Sequence, residues 1–194
     1  MLDDSIILQM PPDLQMTDEQ FFEFCQINRD LRIETNKLGE LLIMSPTGSE
    51  TGNREFNLSG QLWVWSEQDG TGIAFSYSAG FTLSTGAKKS PDASWIKLER
   101  WNSLSPEQKE KFAPICPDFV LELMSPSDSL KTLQAKMTEY MEEPGVKLGW
   151  LIDRKQHTVY IYRPGMPTEC LENPDSVSGD PVLPGFVLKM SKVW

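Results

Sequence analysis

An α/β fold, with a mixed central β-sheet flanked by α-helices, is what this sequence predicts. Periodic segments follow one another as helix, hairpin, helix, strands, helix, strands, an order that lays helices against a sheet. The run Pro117-Asp118-Phe119-Val120-Leu121-Glu122-Leu123-Met124 is almost continuously apolar, as a central strand covered on both faces must be. Length adds a third indication: 194 residues suit one domain over 1–194, since domains run to roughly 100–200 residues. The apolar content of 39% is enough for a core.

In chain order, Thr17-Asp18-Glu19-Gln20 reads as a helix start, because Thr17 can accept from a free amide of the first turn and the acids suit the positive helix end. A helix over Asp18–Asn28 follows. Leu31–Asn36 and Glu40–Ser45 form a hairpin around Lys37-Leu38-Gly39, where glycine supplies the positive φ of the turn. Beyond Pro46-Thr47-Gly48, the stretch Thr51–Asp69 sets Phe56, Leu62, Trp63 and Trp65 among polar residues and reads as one longer helix despite Gly60. Strands are expected at Gly72–Tyr77, Phe81–Ser84 and Asp92–Leu98, with a charged surface helix within Ser105–Phe112. A helix over Ser127–Glu143 is closed by Pro144-Gly145, and Leu148–Asp153 and Thr158–Tyr162 are two more strands. The tail, Pro181–Met190, is punctuated by proline and glycine.

Composition narrows the function classes. A formal charge of -10 repels phosphate backbones at long range, so a polyanion partner needs a local basic patch or a metal ion. Cys25, Cys116 and Cys170 are odd in number and widely spaced, unlike a zinc site or a disulfide scaffold, and suit a reducing cytoplasm. The acidic start Met1-Leu2-Asp3-Asp4 is no signal peptide, and no apolar run approaches the roughly 20 residues of a membrane helix. A cytoplasmic protein that does not span a membrane is expected.

Glu122 shares a strand face with Val120 and Met124, because side chains alternate along a strand. A carboxylate in such a row requires donors or a cation. Two readings stand: an ion pair with a neighbouring Arg or Lys, or a functional carboxylate. Asp92 follows Pro91 at the start of a strand, where it either closes an Asx turn or points into a cleft. Two carboxylates from adjacent strands, with the Leu123 carbonyl beside one of them, make the all-oxygen set preferred by Mg²⁺. A metal so held can polarise a phosphoryl oxygen and activate water, as phosphodiester cleavage requires.

On the following helix Leu130, Leu133, Met137, Tyr140 and Met141 cluster on one face. Lys136 falls at the border of that face beside Tyr140, within reach of Glu122, and the alternative is a lysine whose stem merely covers apolar surface. Lys131 points outward, and Gln134 lies at the opposite border. Ser125-Pro126-Ser127-Asp128 links the acidic strand to this helix and offers capping side chains.

Taken in order, Leu31-Arg32-Ile33-Glu34 with Gly39-Glu40-Leu41, Ser90-Pro91-Asp92, Pro117 to Glu122, Ser125-Pro126-Ser127, Lys136 with Tyr140, Gly145-Val146, Trp150 to Asp153 and Leu183-Pro184-Gly185 resemble the Uma-two family of the PD-(D/E)XK nuclease superfamily, a family common in cyanobacteria. The resemblance implies a restriction-endonuclease-like core. It also implies that Asp92 and Glu122 hold Mg²⁺, with Mn²⁺ as a possible substitute, and that Lys136 carries the catalytic lysine role from the helix. Glu34 matches an acidic position near that site. The wider superfamily has its lysine two residues after the glutamate, where this chain has Met124. Many relatives also carry a histidine at the start of the second helix, whereas this chain reads Glu50-Thr51-Gly52-Asn53, with Glu50 a candidate replacement. His157, the only histidine, is expected in a surface turn.

The function so implied is Mg-dependent hydrolysis of DNA phosphodiester bonds. Two other readings use the same fold: a non-catalytic binding or assembly module, in keeping with the acidic charge, and a metal-dependent hydrolase of another phosphoester such as RNA. Trp95, Trp101 and Trp194 are candidates for a homodimer surface.

Overall fold

The computed structural model describes residues 6–11 and 14–194, so the acidic start Met1–Asp4 lies outside the described residues. Helix α1 (Asp18–Ile27) opens on the expected cap: the Gln20 amide donates to Thr17 Oγ1 at 3.2 Å and the Thr17 amide to Gln20 Oε1 at 2.9 Å. The hairpin of β2 (Arg32–Thr35) and β3 (Leu41–Met44) turns at Gly39, φ 76°, and β1 (Ile6–Leu8) pairs with β3 to make a three-stranded sheet. Phe21 of α1 packs on Ile33 and Leu41 of that sheet.

Helix α2 (Ser49–Asp69) runs through Gly60 and stops at Gly70 in the left-handed conformation. Thr51, Glu55, Leu58, Leu62 and Ser66 point inward along it, a spacing of three and four residues that keeps them on one face. Then follow β4 (Gly72–Ser76), β5 (Phe81–Thr82), β6 (Lys88–Lys89), β7 (Ala93–Lys97) and β8 (Phe119–Met124). Helix α5 (Leu130–Met141) crosses over to β9 (Leu148–Asp153), and β10 (Thr158–Tyr162) and β11 (Glu169–Glu172) complete the main sheet. Its order is β11-β10-β9-β8-β7-β4, parallel between β8 and β9 and antiparallel at every other junction. The mixed sheet flanked by helices is therefore present.

Three segments differ from expectation. Phe81–Ser84 forms only a two-residue strand, which pairs with β6. Leu98, expected at a strand end, instead begins α3 (Leu98–Asn102), and the surface helix α4 shortens to Pro106–Lys109, with Ser105 and Gln108 forming its capping box. The tail carries a second hairpin, β12 (Ser176–Ser178) and β13 (Val187–Lys189), whose Val177 and Leu188 join the core.

One sheet face is covered by α2 and the tail, with Leu58, Leu62, Trp95, Trp150 and Phe186 in contact. The other is covered by α5, where Met137 and Tyr140 meet Val120 and Leu151. Gly149 permits that approach, since a Cβ there would lie 2.4 Å from Met137 Cε. Of the three tryptophans expected at a surface, Trp95 is buried, while Trp101, packed against Phe75, and Trp194, stacked on His157 with centroids 4.8 Å apart, are partly exposed. The exposed aromatic side chains are instead Phe56, Trp63 and Tyr77. Among the described residues, no helix is long and apolar enough to cross a membrane.

Candidate active site

The β7–β8 ladder sets the central pair. Ala93 lies opposite Leu121 in an antiparallel register, so one step further places Asp92 opposite Glu122. Directly opposed residues project from the same face. Here that is the α5 face, because Val120, two residues before Glu122, packs under Met137 and Tyr140. Both carboxylates are buried.

Each is held by named donors. Asp92 Oδ2 accepts from the Leu123 amide at 2.8 Å, and Oδ1 from Arg32 Nη1 at 3.0 Å. Because the N–H and C=O of one strand residue point to the same edge, the Leu123 carbonyl opens on the Asp92 side. Glu122 Oε1 lies 2.9 Å from Lys136 Nζ in an ion pair and accepts from the Tyr140 hydroxyl at 3.1 Å. Both contacts fall on one oxygen.

Lys136 and Tyr140 stand one turn apart on α5, which is how a single helix face delivers two donors to Glu122. The same ammonium lies 2.9 Å from Glu34 Oε1 of β2, which also accepts from the Ser90 amide at 3.0 Å. Lys136 thus bridges two buried carboxylates. Lys89 pairs with Glu139 at 3.1 Å.

Glu34, Glu55, Asp92 and Glu122 gather around Arg32 and Lys136, while Lys89, itself paired with Glu139, acts on Glu34, and Arg154 acts on Glu55. Burial pushes Glu122 up to about 7; Lys136 opposes this, but Asp92 and Glu34 add to it. Burial pushes Glu55 up to about 7 as well, with Asp92 the next contributor. Glu34 goes the other way, since Lys136, Lys89 and Arg32 outweigh its burial and hold its carboxyl below the ordinary value. Burial works against the Lys136 charge, yet Glu122 and Glu34 overcome it and raise the ammonium above its usual range. Glu34 thus draws on Lys136, Lys89 and Arg32 together, while Glu122 meets the charges of Asp92 and Glu34 as well as that of Lys136.

A groove of about 1270 Å³ opens over Asp92, Glu122, Leu123, Lys136, Arg32 and Glu55. Glu34 does not line it and sits behind Lys136, as a support. Sequence reasoning gave Arg32 and Glu55 no role. Arg32 was visible only as the residue two before Glu34, while Glu55 carried a usable signal, three and seven residues before the buried Leu58 and Leu62 on the inward face of α2.

Two further expectations are corrected. Glu50 is on the outer side of α2, paired with Arg54 at 2.7 Å with its side chain 77% exposed, so the carboxylate that α2 brings to the groove is Glu55. Thr51, beside it, receives Arg154 at 3.0 Å. The 125–128 link does not cap α5: Asp128 Oδ2 accepts from the Ser125 amide at 2.7 Å, which closes a turn, and the helix starts only at Leu130 after the uncapped Ser129. His157 is in the surface turn expected of it, 3.2 Å from Asn173 Oδ1.

The Uma2 family model, described as "Putative restriction endonuclease", matches residues 18–191. The chain belongs to the Uma2 family. Its fold is shared by a crystal structure from Anabaena variabilis ATCC 29413, described as "a putative nuclease belonging to DUF820", with a TM-score of 0.70 at 20% identity over 92% of this chain and 97% of the other. No curated protein sequence matches the chain at significance. Family and fold make this Uma2 chain nuclease-like, and its buried acidic pair lies at the junction of β7 and β8, with Asp92 just before β7 and Glu122 on β8.

Proposed function

We propose that this Uma2 protein is a divalent-metal-dependent endonuclease acting on DNA, with Mg²⁺ as the ion and Mn²⁺ as a substitute. One observation carries the reading: two buried carboxylates, Asp92 and Glu122, are opposed across two strands, and the Lys136 ammonium that pairs with Glu122 is shared with Glu34. The donor set fits a hard ion, since the Asp92 and Glu122 carboxylates and the Leu123 carbonyl are all oxygens. The repulsion of Glu122 by Asp92 and Glu34 is what a divalent cation would relieve. These three groups would hold the ion, and when bound it would polarise a phosphoryl oxygen and acidify an attacking water.

The chain's own residues supply the rest. Lys136, fixed by Glu34 and Glu122, holds its ammonium charged at the groove wall, where it can orient a nucleophilic water and stabilise charge developing on phosphorus. Glu34 acts through Lys136 as a positioning residue. Arg32 lines the groove with a permanently charged fork already 3.0 Å from Asp92, a geometry suited to a phosphate oxygen. Tyr140, its phenol raised well above the ordinary range by burial and then by the Glu122 charge, stays protonated and donates to Glu122.

The test is cleavage of supercoiled, linear and single-stranded DNA by purified protein with Mg²⁺ or Mn²⁺. Asp92→Asn is expected to lose roughly 10²-fold to 10³-fold in rate, in the range seen when one electrostatic group is removed from a site. Calorimetric titration should show divalent-metal binding that weakens in Glu122→Gln. The reading fails if wild type cuts none of these substrates, or if Asp92→Asn cuts as fast as wild type.

A further inference from the structure

Two of the chain's exposed aromatic side chains border the same groove. Phe56, 76% exposed, follows Glu55 on α2, and Tyr77, 50% exposed, stands at the end of β4. Neither exposure is accidental to its backbone. Phe56 lies on the outer face of a helix whose inner face is already filled by Leu58 and Leu62, and Ser59, nearly a turn further on, donates to the Asp92 carbonyl at 3.5 Å. That contact ties this stretch of α2 to the carboxylate floor.

Tyr77 occupies a central position of the tight turn closed by Ala79 N–H to Ser76 C=O at 3.0 Å. The base of the turn is fixed at Gly80, where a Cβ would lie 1.7 Å from the Phe112 ring. The turn therefore presents the Tyr77 ring outward. Its centroid lies 5.9 Å from the Arg32 guanidinium carbon, and that guanidinium bonds Asp92. A flat group resting on either ring would sit beside the carboxylate floor.

The charge around these rings matters as much as the rings. Five of the 18 basic side chains line the groove against six of the 28 acidic ones, so it is close to neutral on a chain of charge -10. The buried acids Asp92, Glu122 and Glu55 gather at the floor, while Arg29, Lys109 and Lys111 alternate around the groove with Asp30, Glu110 and Asp128. Of these, Lys111 is engaged by Glu19 at 2.9 Å and Lys109 lies 5.5 Å from the Trp101 ring. Duplex binding draws on many phosphate contacts, and this groove offers few. Stacking of an unpaired base on an aromatic face needs no such charge and tolerates any sequence.

We infer that Phe56 and Tyr77 are stacking platforms for unpaired nucleobases, and that the substrate taken by this groove is single-stranded or locally unpaired DNA in preference to intact duplex. The inference rests on the nuclease reading for the chemistry that follows binding, but binding itself tests it separately. The two rings hold bases beside the carboxylate floor.

The experiment is fluorescence anisotropy of the full chain in Ca²⁺ with a labelled single strand roughly 20 nucleotides long and with its blunt duplex. Single-strand affinity is expected to exceed duplex affinity about ten-fold or more. Phe56→Ala and Tyr77→Ala should each weaken single-strand binding roughly ten-fold, while Phe56→Trp keeps it. Both positions are exposed, and unchanged thermal unfolding will confirm that the variants are folded. Duplex binding equal to or tighter than single-strand binding overturns the inference, as does affinity indifferent to both alanine variants. It is likewise overturned if Phe56→Ala converts a dimer to a monomer in sedimentation without touching single-strand affinity, since the ring would then serve a second copy of the chain. Cleavage of duplex as fast as single strands would leave the nuclease reading standing and remove this one; base stacking without any cleavage would do the reverse.

Discussion

Strand β8 and the residue before it carry two buried carboxylates of opposite character. Asp118, just before the strand, is fully buried and meets Arg100 at 2.6 Å, Lys147 at 3.2 Å and the Lys97 amide at 3.0 Å. Glu122, four residues on and so on the same face, shares one lysine with Glu34 and faces Asp92. One acid holds two cations; the other holds half of one. Only Glu122 lines the groove. Asp118 holds elements together beneath two cations, while Glu122, the carboxylate proposed to take a ligand, shares its lysine and faces a second acid.

The sharpest way to break that contrast is to remove each acid in turn. Asp118→Ala strands Arg100, whose side chain is 25% exposed, together with the half-exposed Lys147, and is expected to cost about 3 kcal/mol, as when one partner of a buried pair is deleted. Metal binding should survive. Glu122→Gln removes a charge repelled by Asp92 and Glu34, leaves Lys136 paired with Glu34, and should change stability by less than about 1 kcal/mol while weakening metal binding. Urea denaturation of both variants measures the difference. If Glu122→Gln is the more destabilising, the two ends of β8 do not differ as described.

Next in size is Lys136→Met, which leaves Glu34 and Glu122 buried with their shared cation gone. A loss of about 2 kcal/mol is expected without metal, with cleavage falling roughly 10²-fold. A divalent ion can replace part of the missing charge, so added Mg²⁺ should stabilise Lys136→Met more than it stabilises wild type. Equal stabilisation by Mg²⁺ would mean that the ion and the lysine do not share the same carboxylates.

Much of this was legible in the sequence. Glu122 declared itself by interrupting an apolar strand, and Lys136 by its place on the border of the α5 face one turn from Tyr140. What the sequence could not show was the register that sets Asp92 opposite Glu122, because pairing between strands separated by the 98–118 segment is a tertiary fact. Glu34 was known only by resemblance, and its place behind Lys136 depends on how the β2–β3 hairpin docks on the main sheet. The misreading of Glu50 for Glu55 has a local cause: both are glutamates near the start of α2, and only the phase of Leu58 and Leu62 tells which one faces inward. The 125–128 link misled because Ser and Asp cap turns as readily as helices.

The smallest predicted effect is a pH dependence, and its sign follows from Glu55 and Glu122. Both carboxyls stand at about 7 in the folded chain, above their ordinary 4.5, so between these values the folded state keeps protons that the unfolded state has lost. Stability then falls as pH rises from about 4.5 to about 7 and levels off above. Groups held low, such as Glu34, act below that window and do not obscure it. In EDTA, stability should decline across this window. Glu55→Gln should remove part of the decline, so that the variant gains on wild type as pH rises. Mg²⁺ binds the ionised carboxylates and should reverse the slope for wild type. Urea midpoints for wild type and Glu55→Gln across the same pH range decide the matter: parallel curves would show that Glu55 ionises without sensing Asp92 or burial, and the raised carboxyl at this end of β8 would then be that of Glu122 alone.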